Sequence, residues 1–211
     1  MSLPCHCEEG AARRSNLLVN QGVASGKNTP RNDIRVSGIY NCPVPAINRH
    51  APDFELPDLD GVCHRLSDYQ GRIVVVDFWS CECPHSERTD RSMMATFIQW
   101  VGEVVMLTIA ANRSEPLELV RGTAEKRRLP LVLLDARHEA ADLYAAQSTP
   151  HAFVIDREGI LRYQGAVDNV AFRQRQATRF YVEEAVEALL EGRMPPVQET
   201  PAFGCAIVRE I

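Results

Sequence analysis

The sequence predicts an α/β fold with parallel strands at the centre of its sheet. Two near-continuous apolar runs, at 73–79 and 103–111, have the length and β-branched content of strands buried on both faces. A segment of helical period follows each run, at 84–100 and at 116–128. This alternation of strand and helix implies right-handed β-α-β crossovers.

The remaining elements follow in order along the chain. Residues 131–135 are predicted as a third strand, 139–146 as a short helix, and 180–191 as a closing helix. The segments HAFVID and GILRYQG are predicted to form a hairpin across residues 157–159. On the first helix we expect a core stripe at three- and four-residue steps, formed by Met93, Met94, Phe97, Ile98 and Val101.

Length and composition favour one folded domain. The chain has 211 residues, is 45% hydrophobic and carries a net charge of −5, which is enough apolar material for one sizeable core. The charges are scattered, so no nucleic-acid partner is predicted. With no apolar stretch of spanning length and no export signal at the N-terminus, we expect no membrane partner and a cytoplasmic location.

Three regions differ in character. Residues 1–36 lack periodicity and are predicted to be disordered; they resemble the translated repeat elements that appear when the start codon of a bacterial gene is assigned too far upstream. Residues 37–192 form the predicted domain, and 193–211 a Pro-containing tail that carries Cys205. Seven cysteines at irregular spacings, without an export signal, favour redox or metal chemistry over a disulfide framework.

Cys83 is the strongest candidate for a reactive residue. It follows the first buried strand and precedes Pro84, which suits the first turn of a helix. A thiol that caps a helix faces free backbone N–H groups and the positive end of the helix dipole, so its pKa is lowered. His85 in the first turn, when protonated, stabilises the thiolate further.

The segment VDFW-x-x-x-C-P resembles the active-site segment of thioredoxin-like proteins. The resemblance implies their fold, a mixed central sheet flanked by helices on both faces, with Cys83 as nucleophile and Asp77 as the buried acid beneath it. Burial raises the pKa of such an acid, which then relays a proton to a departing thiolate. Ser86 stands where the family has its second cysteine, so the ordinary dithiol cycle is absent.

The chain from residue 51 onwards resembles the redoxin branch and a peroxiredoxin-like group in particular. The matching elements are APDFELPDLDG, a G-x-x-D-N loop at 165–169, and a tail ending in Gly-Cys-x-Ile. Thr149-Pro150 matches the position of the family's cis-proline, which faces the nucleophile and exposes backbone to an extended substrate. The resemblance thereby assigns four residues to substrate binding: Trp79, Pro84, Thr149 and Pro150.

Three groups are candidates to resolve a mixed disulfide at Cys83, because release requires a second thiolate. They are Cys81, which would close a small strained ring, Cys205 on the tail, and an external low-molecular-weight thiol. A packed, structural role for Cys205 stays open as well. A metal site at Cys81, Cys83 and His85 is disfavoured for want of a fourth ligand, and no cofactor is predicted.

These residues predict a thiol-disulfide oxidoreductase. Its expected partners are a protein or small-molecule disulfide or thiol substrate and an external thiol reductant. One alternative is a thiol peroxidase, although of the peroxiredoxin P-x-x-x-T-x-x-C motif only a hydroxyl at Ser80 remains, and Val76 replaces the proline. The other is a non-catalytic binding module, which predicts an ordinary pKa at Cys83.

Overall fold

The computed structural model describes residues 45–209. The prediction for residues 1–36 therefore lies outside the described residues. The described residues belong to one compact unit. Within this range, no helix is long and apolar enough to cross a membrane.

A five-stranded mixed sheet forms the centre of the fold, in the order β5-β4-β3-β7-β8. Strands β3, β4 and β5 are parallel, while β7 runs antiparallel to β3 and β8 antiparallel to β7. All seven residues of both β3 and β4 are buried, as the unbroken apolar runs predict. The strands are β3 (Ile73–Trp79), β4 (Val104–Ala110), β5 (Val132–Leu134), β7 (His151–Ile155) and β8 (Leu161–Gly165).

Helices cover both faces of this sheet, which confirms the predicted α/β architecture. On one face, α1 and α4 share a core with the side chains of Ile73 and Val75, and α2 packs against Trp79. On the other face, α3 contributes to the core around Val74, Val76 and Phe78. The helices are α1 (Pro84–Phe97), α2 (Leu117–Arg127), α3 (Glu139–Leu143) and α4 (Tyr181–Leu190).

The C-terminal end of α1 corrects one sequence prediction. The helix ends at Phe97 and a 3-10 turn, Ile98–Trp100, follows it. A 3-10 helix has fewer residues per turn than an α-helix, so the apolar residues after Phe97 no longer fall on one face. Trp100 takes the inward position, while Ile98 and Val101 are 73% and 71% exposed, so their assignment to the core was wrong.

Two small two-stranded sheets flank the central one. Strands β1 (Glu55–Pro57) and β2 (Cys63–Arg65) form a hairpin whose turn lies at Asp60-Gly61. Gly61 has φ +84°, a conformation that glycine adopts without strain. The second sheet pairs β6 (Ser148–Thr149) with β9 (Cys205–Ala206), which attaches the C-terminal tail to the domain.

Candidate redox site

Cys83 lies at the N-terminal cap of α1, as the sequence predicts. Its backbone is extended, with φ −77° and ψ 120°, and its carbonyl accepts the first helical hydrogen bond from Glu87 at 3.0 Å. Pro84 occupies the first helical position. Cys83 is 2% exposed. A buried thiol therefore stands at the positive end of the helix dipole.

Two groups face the sulfur of Cys83 at contact distance. The Cys205 Sγ lies 2.8 Å from it, and the carbonyl oxygen of Thr149 lies 3.1 Å from it. As a thiol, Cys83 donates to the Thr149 carbonyl; as a thiolate, it accepts from the Cys205 thiol. The structure thus brings two cysteines 122 residues apart into reach of each other.

The two sulfurs differ in acidity. Burial alone raises the pKa of Cys83, but hydrogen bonds from the Cys205 thiol and from the backbone N–H of Ser86 outweigh it, so the pKa falls below its ordinary value. Burial and the neighbouring sulfur of Cys83 raise the pKa of Cys205 to about 11. The thiolate of the pair therefore resides on Cys83 and the proton on Cys205.

The tail reaches Cys83 because its strand β9 pairs with β6. Thr149 pairs with Cys205 and Ser148 with Ala206, and the backbone N–H of Ile207 donates to the carbonyl of Gln147 at 3.0 Å. A Cβ at position 204 would overlap the carbonyl of Thr149, so Gly204 permits this close approach.

Side chains beyond β9 anchor the end of the tail. Ile207 is 6% exposed and belongs to the core on the α3 face. The backbone N–H of Val208 donates to Asn112 Oδ1 at 2.9 Å, and Arg209 forms an ion pair with Asp142 at 3.0 Å. One buried side chain and a set of surface contacts therefore hold the segment that follows β9.

Thr149 and Pro150 lie next to the sulfur, and their peptide bond is cis, as predicted. The backbone edge of Thr149, which the family resemblance assigns to an extended substrate, is occupied by β9 of the same chain. Trp79 was also assigned to substrate binding, and this assignment was wrong. Its side chain is fully buried and donates from Nε1 to Asp90 at 2.9 Å, because it belongs to the core beneath α2.

Asp77 is a fully buried carboxyl group on β3, as the sequence predicts. Among the described residues neither of its oxygens has a hydrogen-bond partner. Burial above all, and then the charges of Asp90 and Cys83, raise its pKa well above the ordinary value. A carboxyl group of this kind keeps its proton to a higher pH than an exposed one, which suits the proton relay expected of it.

The first turn of α1 holds the other predicted residues. The ring of His85 stacks edge-on against Phe203 of the tail, with centroids 5.0 Å apart. Ser86 is fully buried, and its hydroxyl has no partner among the described residues. Ser86 therefore contributes its backbone N–H, rather than its side chain, to the thiolate of Cys83.

Cys81 is buried and poorly suited to act as a thiolate. Burial and the neighbouring carboxylate of Glu115 raise the pKa of Cys81 to about 12. Its carbonyl accepts a hydrogen bond from Arg127 at 2.9 Å. Between the two predicted candidates, the structure brings Cys205 into contact with Cys83. No group of three or more metal-ligating side chains occurs among residues 45–209.

Glu115 is a site residue that sequence analysis missed. Its buried carboxylate accepts hydrogen bonds from the hydroxyl of Ser80 and from the backbone N–H groups of Cys81 and Glu82, both at 3.3 Å. Ser80 in turn accepts from the backbone N–H of Cys83 at 3.1 Å. Glu115 lies more than thirty residues from this loop, so no local pattern marks it. It is a positioning residue for Cys83.

The fold and this pair of thiols define a thioredoxin-like protein with a nucleophile candidate at a helix N-terminus. The sequence model of the AhpC/TSA family matches residues 47–164, more than half of the chain. The chain therefore belongs to the AhpC/TSA family.

Relatives of this chain are found among curated proteins and among solved structures. A thiol-disulfide oxidoreductase ResA from Geobacillus thermodenitrificans is 33% identical over 115 residues, which are 54% of this chain and 66% of that protein. This chain thus spans just under two thirds of the length of that relative. An uncharacterized conserved protein from Geobacillus kaustophilus superposes with a TM-score of 0.72 at 26% identity, over 78% of this chain and 93% of that one.

A third similarity concerns the fold alone. The thioredoxin domain of a thiol-disulfide oxidoreductase from Bacteroides vulgatus superposes with a TM-score of 0.51 at 22% identity. The superposition covers 56% of this chain and 87% of that domain. It agrees with the thioredoxin-like arrangement of the central sheet and its helices.

Proposed function

We propose that this protein is a thiol-disulfide oxidoreductase in which Cys83 is the nucleophile and Cys205 the resolving cysteine. The observation that carries the proposal is the 2.8 Å contact between the two sulfurs at the N-terminus of α1. The name of the ResA relative, a thiol-disulfide oxidoreductase, supports the same class of reaction.

The acidity of the two thiols fits the order of events. The Cys83 thiolate attacks a substrate disulfide, a mixed disulfide forms at Cys83, and the other substrate sulfur leaves as a thiolate. Cys205 then attacks the Cys83 sulfur and releases the second substrate thiolate, which leaves an internal Cys83–Cys205 disulfide. Because Cys205 holds the proton of the reduced pair, its thiol must lose that proton at this step.

Asp77 is the proposed acceptor of that proton. It lies close enough to Cys83 for the thiolate charge to raise its pKa, and its buried oxygens have no partner among the described residues. When Cys83 enters the mixed disulfide, its negative charge disappears and the pKa of Asp77 falls, so Asp77 gives its proton to the departing substrate thiolate and is then ionised and able to accept the proton of Cys205. Proton transfer to or from Asp77 is thus coupled to the redox state of Cys83.

Trapping the intermediates tests the proposal. Wild-type protein is treated with oxidised glutathione, quenched by alkylation and mapped by mass spectrometry, alongside C83S and C205S. We expect a Cys83–Cys205 disulfide in the wild type and a stable glutathione adduct at Cys83 in C205S. With dithiothreitol and a model disulfide, C83S is expected to lose at least about 10³-fold in turnover, since it lacks the nucleophile.

Cys63 provides the matched control. It is exposed on β2, and C63S removes a thiol without touching the site. Turnover by C63S should equal that of the wild type. If C83S keeps its turnover, or if no disulfide between Cys83 and Cys205 forms under any oxidant, the proposal is wrong.

The peroxidase alternative makes a different prediction for the same experiment. Peroxide would yield a sulfenic acid at Cys83 and would be consumed faster than a model disulfide. The hydroxyl of Ser80, the remaining element of the peroxidatic motif, donates its proton to the carboxylate of Glu115. This hydrogen bond favours disulfide exchange over peroxide reduction.

The partners and the location belong to the proposal as well. The substrate is a protein or small-molecule disulfide or thiol, the reductant is an external thiol, and the protein acts in the cytoplasm. The high and irregular cysteine count supports a reducing compartment. Fractionation of cells that express the untagged protein tests the location, and recovery outside the cytoplasm would contradict it.

A further inference from the structure

The tail leaves the two sulfurs unequally accessible. Cys83 is 2% exposed, enclosed by the N-terminus of α1, the Thr149 carbonyl and the tail. Cys205 is half-buried on the outer strand of the β6–β9 sheet. The side of Cys205 that faces away from Cys83 is therefore the more open approach to the pair.

The same tail occupies the edge where an extended chain would pair beside the nucleophile. Thr149 is already bonded to Cys205 in register, and Gly204 fills the space against the Thr149 carbonyl. A thiol reductant cannot use this edge while β9 is seated. Recognition of the oxidised form must then occur at the outer side of the tail.

We infer that the thiol that reduces the Cys83–Cys205 disulfide attacks the sulfur of Cys205, so that Cys205 carries the mixed disulfide and Cys83 is the leaving group. This inference rests on the proposed function. It assigns Cys205 a second role, as the entry point for electrons, beyond resolution of Cys83.

The chemistry of exchange supports this direction. The attacking thiolate lies in line with the bond that breaks, so attack on Cys205 comes from the side opposite Cys83. A thiol of lower pKa leaves faster, and Cys83 is the more acidic of the two thiols. The accessibility of Cys205 and the acidity of Cys83 as the leaving group therefore both favour attack on the sulfur of Cys205.

The step balances with a low-molecular-weight thiol as reductant. One thiolate, RS⁻, bonds to Cys205, the Cys83–Cys205 bond breaks, and its electron pair stays on Cys83 as thiolate. A second RS⁻ attacks the R sulfur and forms RSSR, and Cys205 leaves and takes up a proton. Two thiolates are oxidised and one internal disulfide is reduced.

The test traps both cysteines during reduction. Wild-type protein is first oxidised and its Cys83–Cys205 disulfide verified by mass spectrometry, then mixed with glutathione in the presence of excess iodoacetamide. Attack at Cys205 leaves glutathione on Cys205 and an alkyl group on Cys83, whereas attack at Cys83 leaves the reverse. We expect at least about a tenfold excess of the first product.

The variant G204A is the matched comparison. A Cβ at this position overlaps the carbonyl of Thr149, so the variant should loosen the tail and expose Cys83. When its Cys83–Cys205 disulfide is reduced in the same trapping experiment, the glutathione adduct should then move towards Cys83, while circular dichroism shows that the fold is kept.

The outcomes separate this inference from the proposed function. If the wild-type disulfide forms but the adduct lies mainly on Cys83, or equally on both cysteines, the inference is wrong and the oxidoreductase proposal stands. If no such disulfide forms, both are overturned.

Discussion

The two cysteines of the site are held in different ways. The loop that precedes Cys83 is held by the buried carboxylate of Glu115, and α1 is tied to a buried Asp168 by the guanidinium group of Arg88. Cys205 is held by a two-residue strand and by one buried side chain, Ile207, near the end of the chain. Buried polar contacts hold the segment around Cys83, whereas few buried contacts hold Cys205, and we call these the fixed side and the movable side of the site.

This difference suits a resolving pair. The fixed sulfur keeps its place at the helix N-terminus, where its thiolate is stabilised. The other must withdraw so that a substrate reaches Cys83, and must return to release it. The C-terminal segment has the few buried apolar contacts typical of regions that open locally at low free-energy cost.

We expect the largest change in Cys83 reactivity from a substitution that weakens docking of the tail, the movable side of the site. I207A removes most of the buried anchor, which weakens docking of the tail by about 2 kcal/mol and raises the open population roughly 30-fold. Alkylation of Cys83 by iodoacetamide should accelerate by that factor, while the midpoint of thermal unfolding changes little because the tail opens independently.

V208A is the control for this prediction. Val208 neighbours Ile207 but is 50% exposed, so its truncation should leave the alkylation rate near that of the wild type. A large fall in the unfolding midpoint of I207A, without faster alkylation, would show that the tail belongs to the cooperative core.

The second prediction concerns the carboxyl group beneath the fixed sulfur. D77N removes the proposed proton acceptor and should lower turnover roughly tenfold or more. It also removes a buried carboxyl group whose pKa is raised in the folded state, so the unfolded chain ionises first as pH rises. The wild type therefore loses stability as pH rises from about 4 towards the raised pKa, and D77N should lose less.

Urea unfolding at several pH values measures this difference. At neutral pH we expect D77N to be the more stable of the two, since the folded wild type must hold a proton on Asp77 that the unfolded chain releases. D60N, at an exposed aspartate, is the control. A wild type whose stability does not fall over this range of pH would mean that Asp77 is not held in its neutral form.

The sequence predicted the fixed side of the site better than the movable side. The strand, the cap position of Cys83 and the buried Asp77 follow from local patterns: an apolar run, a Cys-Pro step, and one acid among apolar neighbours. The cis bond at Thr149-Pro150 followed from the family resemblance. These features depend on residues that are near in the sequence or on a known motif.

What the sequence missed depends on contacts between distant segments. No sequence pattern around Glu115 indicates its role, because that role depends on three hydrogen bonds to a distant loop at 80–82. Trp79 was assigned to substrate binding, but the crossover helix α2 covers it. The burial of Ile207 in the core likewise depends on the position of β6. The hydrophobic pattern of the tail does not indicate that position.

The third prediction concerns a substitution that weakens the hydrogen bonds around Cys83, on the fixed side of the site. E115Q replaces one acceptor oxygen of the carboxylate by an NH₂ group, which faces a backbone N–H or a hydroxyl proton and cannot accept from it. Loss of one such hydrogen bond costs about 1–3 kcal/mol of stability and lets the loop move. We expect turnover to fall a few-fold.

A purely structural role would leave the acidity of Cys83 unchanged, so the pH profile of Cys83 alkylation is measured as well. Its midpoint should move upward in E115Q, because the helix N-terminus is less well aligned with the sulfur. E118Q, at an exposed position on α2, should match the wild type in both measurements. Lower stability without a shifted profile would limit Glu115 to a role in folding.

The last and smallest effect tests the hydrogen bond that joins the two sides. The pKa of Cys83 is lowered in part by the thiol of Cys205, so C205A should raise it, while C205S keeps a hydroxyl donor and should leave it nearer the wild-type value. Both variants keep the strand pairing of the tail, which comes from backbone groups. The midpoint of Cys83 alkylation against pH, followed by mass spectrometry, distinguishes them. Equal midpoints in the two variants would show that the helix N-terminus alone sets the acidity of Cys83, and that the second cysteine contributes only its redox chemistry.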